Sequence, residues 1–149
     1  MADTEIPEGL TADYENLDVQ NALEALTKDP DWERLAEFLR TLGTGYLVVD
    51  VTGTNKKKAT HVRTVRSTTG ELVLPLFTSM AEVRRAVPKR QQDTVRGAIM
   101  PALDALRLVE SDRFVAAQVN PGGSALVVKR EFIERILGGD DITPESLQH

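Results

Sequence analysis

The sequence predicts an α/β (α+β) domain in which a single mixed sheet of about five strands carries helices packed on it. Two observations lead there. Short runs rich in β-branched residues, Tyr46-Leu47-Val48-Val49-Asp50-Val51 foremost, alternate with stretches whose apolar positions recur at helical spacing, and proline or glycine marks the boundaries between them. The chain of 149 residues without cysteine is also long enough to bury roughly 68–70% of its unfolded surface in one core, with no disulfide needed.

The elements follow in order. Residues 1–17 read as a flexible acidic arm, since they hold Pro7 and Gly9 and their apolar residues Ile6, Leu10 and Tyr14 keep no period. Val19, Ala22, Leu23 and Leu26 then fall on one face of a short helix. Asp29 reads as the N-cap of a second helix with Pro30 at its first position, and Trp32, Leu35, Ala36, Leu39 and Leu42 form its inward stripe up to Gly43. The run 46–51 is a largely buried strand, and Lys56, Lys57 and Lys58 lie in the loop after it. Extended stretches 60–66 and 71–77 flank Ser67-Thr68-Thr69-Gly70 and pair as a hairpin. Pro75 has no N–H to donate, so it belongs at an edge, at a bulge, or with its nitrogen turned away from the neighbouring strand.

Ser79-Met80-Ala81-Glu82 has the spacing of a capping box, opening a helix that stops before Pro88. The next helix starts near Pro101, which is tolerated in a first turn, with Ala102, Leu103, Leu106 and Val109 inward. Stretches 114–119 and 124–128 are strands joined by Asn120-Pro121-Gly122-Gly123, where proline followed by a glycine of positive φ suits a type II turn. A helix over 131–137, with Phe132, Ile133, Ile136 and Leu137 inward, closes the domain assigned to 18–138. Residues 139–149 are left as a flexible acidic tail.

The net charge of −5 is strongly segregated: residues 1–49 carry −8, residues 50–96 carry +6 and residues 97–149 carry −3. The basic middle supplies a candidate partner-binding set, Lys56, Lys57, Lys58, Arg63, Arg66, Arg84, Arg85, Lys89 and Arg90. Reactive chemistry is poorly represented. Lack of cysteine excludes thiolate ligands and cysteine nucleophiles. His61 sits in an expected strand and His149 at the last position, neither in a triad context, and Ser124 lacks the G-x-S-x-G elbow. Asp140 and Asp141 have no partners at metal-ligand spacing. The segment Gly53-Thr54-Asn55-Lys56-Lys57-Lys58 lacks the second glycine and the Gly-Lys-Ser/Thr ending of a phosphate loop. The expectation is therefore a non-enzyme with no catalytic residue, no cofactor and no metal. No apolar run approaches the ~20 residues of a membrane span, and the first residues lack a basic secretory start, so a cytoplasmic protein without membrane contact is expected.

Two motifs carry a resemblance. Leu74-Pro75-Leu76-Phe77-Thr78-Ser79 ahead of a short helix, and Val119-Asn120-Pro121-Gly122-Gly123 ahead of a strand and a last helix, resemble the N-terminal domain of the SseB family, the enhanced-serine-sensitivity proteins, over residues 20–137. The resemblance implies an α/β fold and carries no catalytic residue with it. Larger members have a second, C-terminal domain, which is not expected here. Strand-end packing and a tight turn account for Pro75, Phe77, Thr78, Asn120, Pro121 and Gly122 as structural residues. The expected function is a non-catalytic protein-interaction module, holding an acidic partner through the sheet edge around Pro75 and the basic surface. The alternative is a weak nucleic-acid or ribonucleoprotein binder whose lysines and arginines neutralise phosphates. No aromatic strand of the RNA-binding kind is visible among Tyr46, Phe77 and Phe114, which gives base stacking little support.

Overall fold

The computed structural model describes residues 4–5, 9–52, 65–66, 69–111, 113–123 and 125–148. Its strands are β1 (Thr4–Glu5), β2 (Tyr46–Asp50), β3 (Val65–Arg66), β4 (Leu72–Leu76), β5 (Gly97–Pro101), β6 (Ala116–Val119) and β7 (Leu126–Lys129). Its helices are α1 (Leu17–Lys28), α2 (Trp32–Leu42), α3 (Met80–Arg85), α4 (Ala102–Arg107), α5 (Arg130–Leu137) and α6 (Pro144–Leu147), with 3-10 turns at Lys89–Gln91 and Leu108–Ser111.

The strands form two sheets, not the single five-stranded sheet expected. One has the order β1-β5-β2, with β5 parallel to β1 and antiparallel to β2. The other has the order β3-β4-β6-β7, in which only β4 and β6 run parallel. They meet at one bridge, where Val48 and Phe77 exchange N–H···O bonds of 2.8 and 2.9 Å.

Pro75 accounts for this division. The Asn120 N–H donates to the Leu76 carbonyl, so alternate residues of β4 turn their backbone toward β6 and the others turn it away. On the far side β4 pairs with β3 through Val73 and with β2 through Phe77, and Pro75 lies between these two contacts. The strand changes partner where it has no N–H to give. Pro75 is buried within β4 opposite Gln118; it is not at a sheet edge, and its nitrogen is turned away from β6.

Strand β5 is missing from the sequence expectation, which began a helix near Pro101 and left 95–100 unassigned. Gly97-Ala98-Ile99-Met100 has one β-branched residue, and pairing with β2 across five positions imposes the extended form. Strand β2 is covered on both sides: Leu47 and Val49 enter the main core with Leu39, Leu42 and Leu106, while Val48 joins Phe77, Met80, Val83 and Ile99 under α3. Burial of both faces is the reason it reads as a continuous apolar run.

Helix α1 is capped by buried Asn16, whose Oδ1 accepts from the Val19 N–H at 3.1 Å while its Nδ2 donates to the Tyr46 carbonyl at 2.8 Å. The stretch expected as an arm therefore touches the body. Thr4–Glu5 pairs with Gly97 and Ala98, and the Tyr14 ring meets the Tyr46 ring edge-on with centroids 5.7 Å apart. Helix α2 is capped by Asp31 and not by Asp29: Asp31 Oδ1 accepts from the Arg34 N–H at 2.7 Å, and the Arg34 guanidinium pairs with both aspartates. Pro30 accordingly precedes the helix.

The flexible tail expected at 139–149 is also corrected. Ile142 and Leu147 are buried in the main core, and α6 opens on a capping box formed by Thr143 and Ser146. Arg40 Nη1 donates to the Ile142 carbonyl at 2.6 Å and Arg135 Nη1 to the Ser146 carbonyl at 2.5 Å. Burial of two apolar side chains, together with these two bonds, holds the acidic segment against α2.

Candidate functional site

The two motifs, 42 residues apart in the chain, meet at the carboxyl ends of the parallel pair β4 and β6. Asn120 Oδ1 accepts from the Thr78 N–H at 3.0 Å, and Asn120 Nδ2 donates to Thr78 Oγ1 at 3.1 Å. Gln20 of α1 donates to the same hydroxyl at 2.9 Å. Asn120 is the one non-glycine residue of positive φ among the described residues, at 51°, a conformation asparagine tolerates better than most. The Gly123 N–H closes the turn onto the Asn120 carbonyl at 3.0 Å, yet Gly122 has no positive φ, so the expected type II geometry is not adopted.

Gly122 is glycine because of proximity. A Cβ there would lie 2.8 Å from the Ala86 nitrogen and from the Arg85 carbonyl group, backbone at the end of α3 that cannot swing aside. Gly122→Ala should therefore lower stability by about 1–3 kcal/mol through overlap alone. An unchanged urea midpoint would show that the turn does not press on α3. Pro75, Phe77 and Thr78 are buried and Asn120 is bonded within the fold.

Five residues of the basic set lie among the described residues. Arg84, Arg85, Lys89 and Arg90 are exposed along the end of α3 and the turn after it. Arg66 lies in β3, and Lys56, Lys57, Lys58 and Arg63 fall outside the described residues. Ser79 caps α3, its Oγ accepting from the Glu82 N–H at 3.2 Å. The expected reciprocal half of that capping box is replaced by an ion pair, Glu82 Oε2 to Arg85 Nη1 at 2.9 Å.

A different surface is better built for binding. Between the α1–α2 corner and β7 lies a groove of about 470 Å³, walled by Leu26, Trp32, Leu35, Leu126, Val127 and Phe132 among others. Strand β7 ends the order of its sheet among the described residues, and its residues 126–129 line this groove. Trp32 is 46% exposed and Val127 57% exposed, an unusual pair of large apolar side chains in open positions. The sequence assigned Trp32 to the buried stripe of α2. Its position on that stripe is correct, but at the first turn of α2 the stripe meets the open groove beside β7, and periodicity reports a face without reporting what lies beneath it.

Among the described residues no three His, Cys, Asp or Glu side chains cluster as a metal site requires, and no helix is long and apolar enough to cross a membrane. A family model described as the SseB protein N-terminal domain matches residues 19–135. No match is found among curated proteins or among solved structures.

Proposed function

The chain belongs to the SseB N-terminal domain family, and from that premise we propose that it is a non-catalytic protein-interaction module that takes an extended segment of another protein along β7. One observation supports this role above others: the strand that ends its sheet among the described residues lines an apolar groove that holds an exposed tryptophan. Strand addition draws affinity from main-chain hydrogen bonds, and adjoining pockets supply selectivity. Tryptophan, which lines this groove, is among the residue types that most often dominate binding energy.

The groove replaces the edge around Pro75 as the proposed contact surface, and its apolar lining does not require an acidic partner. The nucleic-acid alternative rests, among the described residues, on Arg84, Arg85, Lys89 and Arg90, and Glu82 already engages Arg85. A protein without cysteine suits the cytoplasm.

A photo-crosslinking side chain placed at position 32, at 127, and at the exposed control Glu110 tests this role in nuclease-treated native lysate. Protein adducts are expected from 32 and 127 and not from 110. Trp32→Ala should weaken capture by about 30-fold, corresponding to ~2 kcal/mol for an interface hot spot, with an unchanged melting temperature. Adducts no more abundant at 32 and 127 than at the control, or lost on nuclease treatment, would remove the role.

A further inference from the structure

The apolar groove has a polar neighbour. Helix α1 borders the groove with Leu26 and Thr27, and one turn earlier it borders a hollow of about 380 Å³ with Gln20, Leu23 and Glu24. Gln20, Glu24 and Thr27 are spaced i, i+4 and i+7 and share one helix face. Across from α1 both spaces are walled by one hairpin, through Asn120 at its turn and residues 126–129 of its second strand. The two neighbouring spaces differ in character. The groove has the apolar Trp32, Leu126 and Val127 at its wall; the hollow is lined by the acidic Glu15, Glu24 and Glu82 and by one basic residue, Arg85. Glu82 Oε1 is buried and accepts no hydrogen bond, while Oε2 is held by Arg85.

The backbone of β7 is oriented for addition of a strand. The Arg130 N–H donates to the Val115 carbonyl at 3.0 Å, and Val128 stands opposite Ala117. Residues 126, 128 and 130 thus turn toward β6, and the N–H and C=O of Val127 point out from the sheet. The acidic and apolar spaces are offset by about four to seven residues of α1, or ~6–10 Å at 1.5 Å per residue.

We propose that the segment bound along β7 is an extended peptide with an aliphatic or aromatic side chain seated beside Trp32 and a lysine or arginine reaching Glu15, Glu24 and Glu82. At ~3.3 Å per extended residue the two side chains are about two to three positions apart. The inference rests on the interaction role of the β7 edge and adds to it the charge and spacing of the ligand.

Selection of randomised decapeptides on phage against the full chain tests it. The selection is run in parallel against Glu15→Lys/Glu24→Lys, whose sites are both exposed, and against Val127→Pro. The parent should enrich an apolar residue with Lys or Arg at the stated spacing. A peptide so selected should bind the charge-reversed protein at least tenfold more weakly by fluorescence anisotropy, and that protein should enrich acidic residues instead. Val127→Pro leaves the bonds to β6 intact and removes an outward donor, so it should lose the peptides while keeping the parent's melting curve. Apolar peptides with no basic preference would overturn the inference and leave the interaction role standing. Binding undiminished by Val127→Pro would overturn strand addition, and enrichment of nothing by the parent would overturn both. If Val127→Pro does not fold, the charge-reversed protein alone decides the ligand's charge.

Discussion

Asn120→Ala should lower the unfolding free energy by about 2–5 kcal/mol, combining roughly 1–2 kcal/mol for a left-handed conformation at alanine with about 1–3 kcal/mol for a buried N–H left without a partner. The orphaned donor is the Thr78 backbone, and Thr78 Oγ1 loses the Asn120 amide as well. Two companions separate these contributions. Asn120→Gly restores the backbone preference and should recover about 1 kcal/mol. Asn120→Asp keeps the acceptor for the Thr78 N–H and gives up the donor to the hydroxyl. Urea unfolding with an unchanged slope measures all three, and a loss below about 1 kcal/mol for Asn120→Ala would mean that the two motifs do not hold each other in place.

The second large effect is expected at Phe38, where truncation to alanine should cost about 3–5 kcal/mol. Phe38, three residues after Leu35 and four before Leu42, lies on the flank of the stripe of Leu35, Ala36, Leu39 and Leu42. It is fully buried because α2 also packs against α6, whose segment places Ile142 and Leu147 in the same core. Thermal unfolding of Phe38→Ala therefore reports on the C-terminal segment. A change under about 1 kcal/mol, usual for a surface position, would mean that the segment does not cover α2.

The same contact marks a boundary of what the sequence makes legible. Segments with an unambiguous period were readable: Val19, Leu23 and Leu26 of α1, the run of β2, Ile133 of α5, and the pairing of β6 with β7 across Asn120-Pro121-Gly122-Gly123. What escaped was decided by distant partners. Strand β5 has weak local preference and is extended because β2 lies beside it. Residues 142–147 look polar in composition, and their two apolar side chains, Ile142 and Leu147, are buried in the main core. The turn at 120–123 supplied the right residue types, but Asn120 took the positive φ because Thr78 binds its side chain. The site was less legible than the fold. Charge drew attention to Lys56, Lys57 and Lys58, whereas the groove depends on which strand forms an edge, a property of strand order that no local pattern encodes.

The parallel pairing of β4 with β6 also bears on how fast the chain reaches this structure. Thr78 and Asn120 can bond only after a loop of 42 residues has closed, and β5 within that loop pairs with the other sheet. Loop entropy must be surrendered before these contacts return any energy. Acquisition of the β4–β6 register is thus expected to set the folding time, with α1 and α2 already helical and in contact before it.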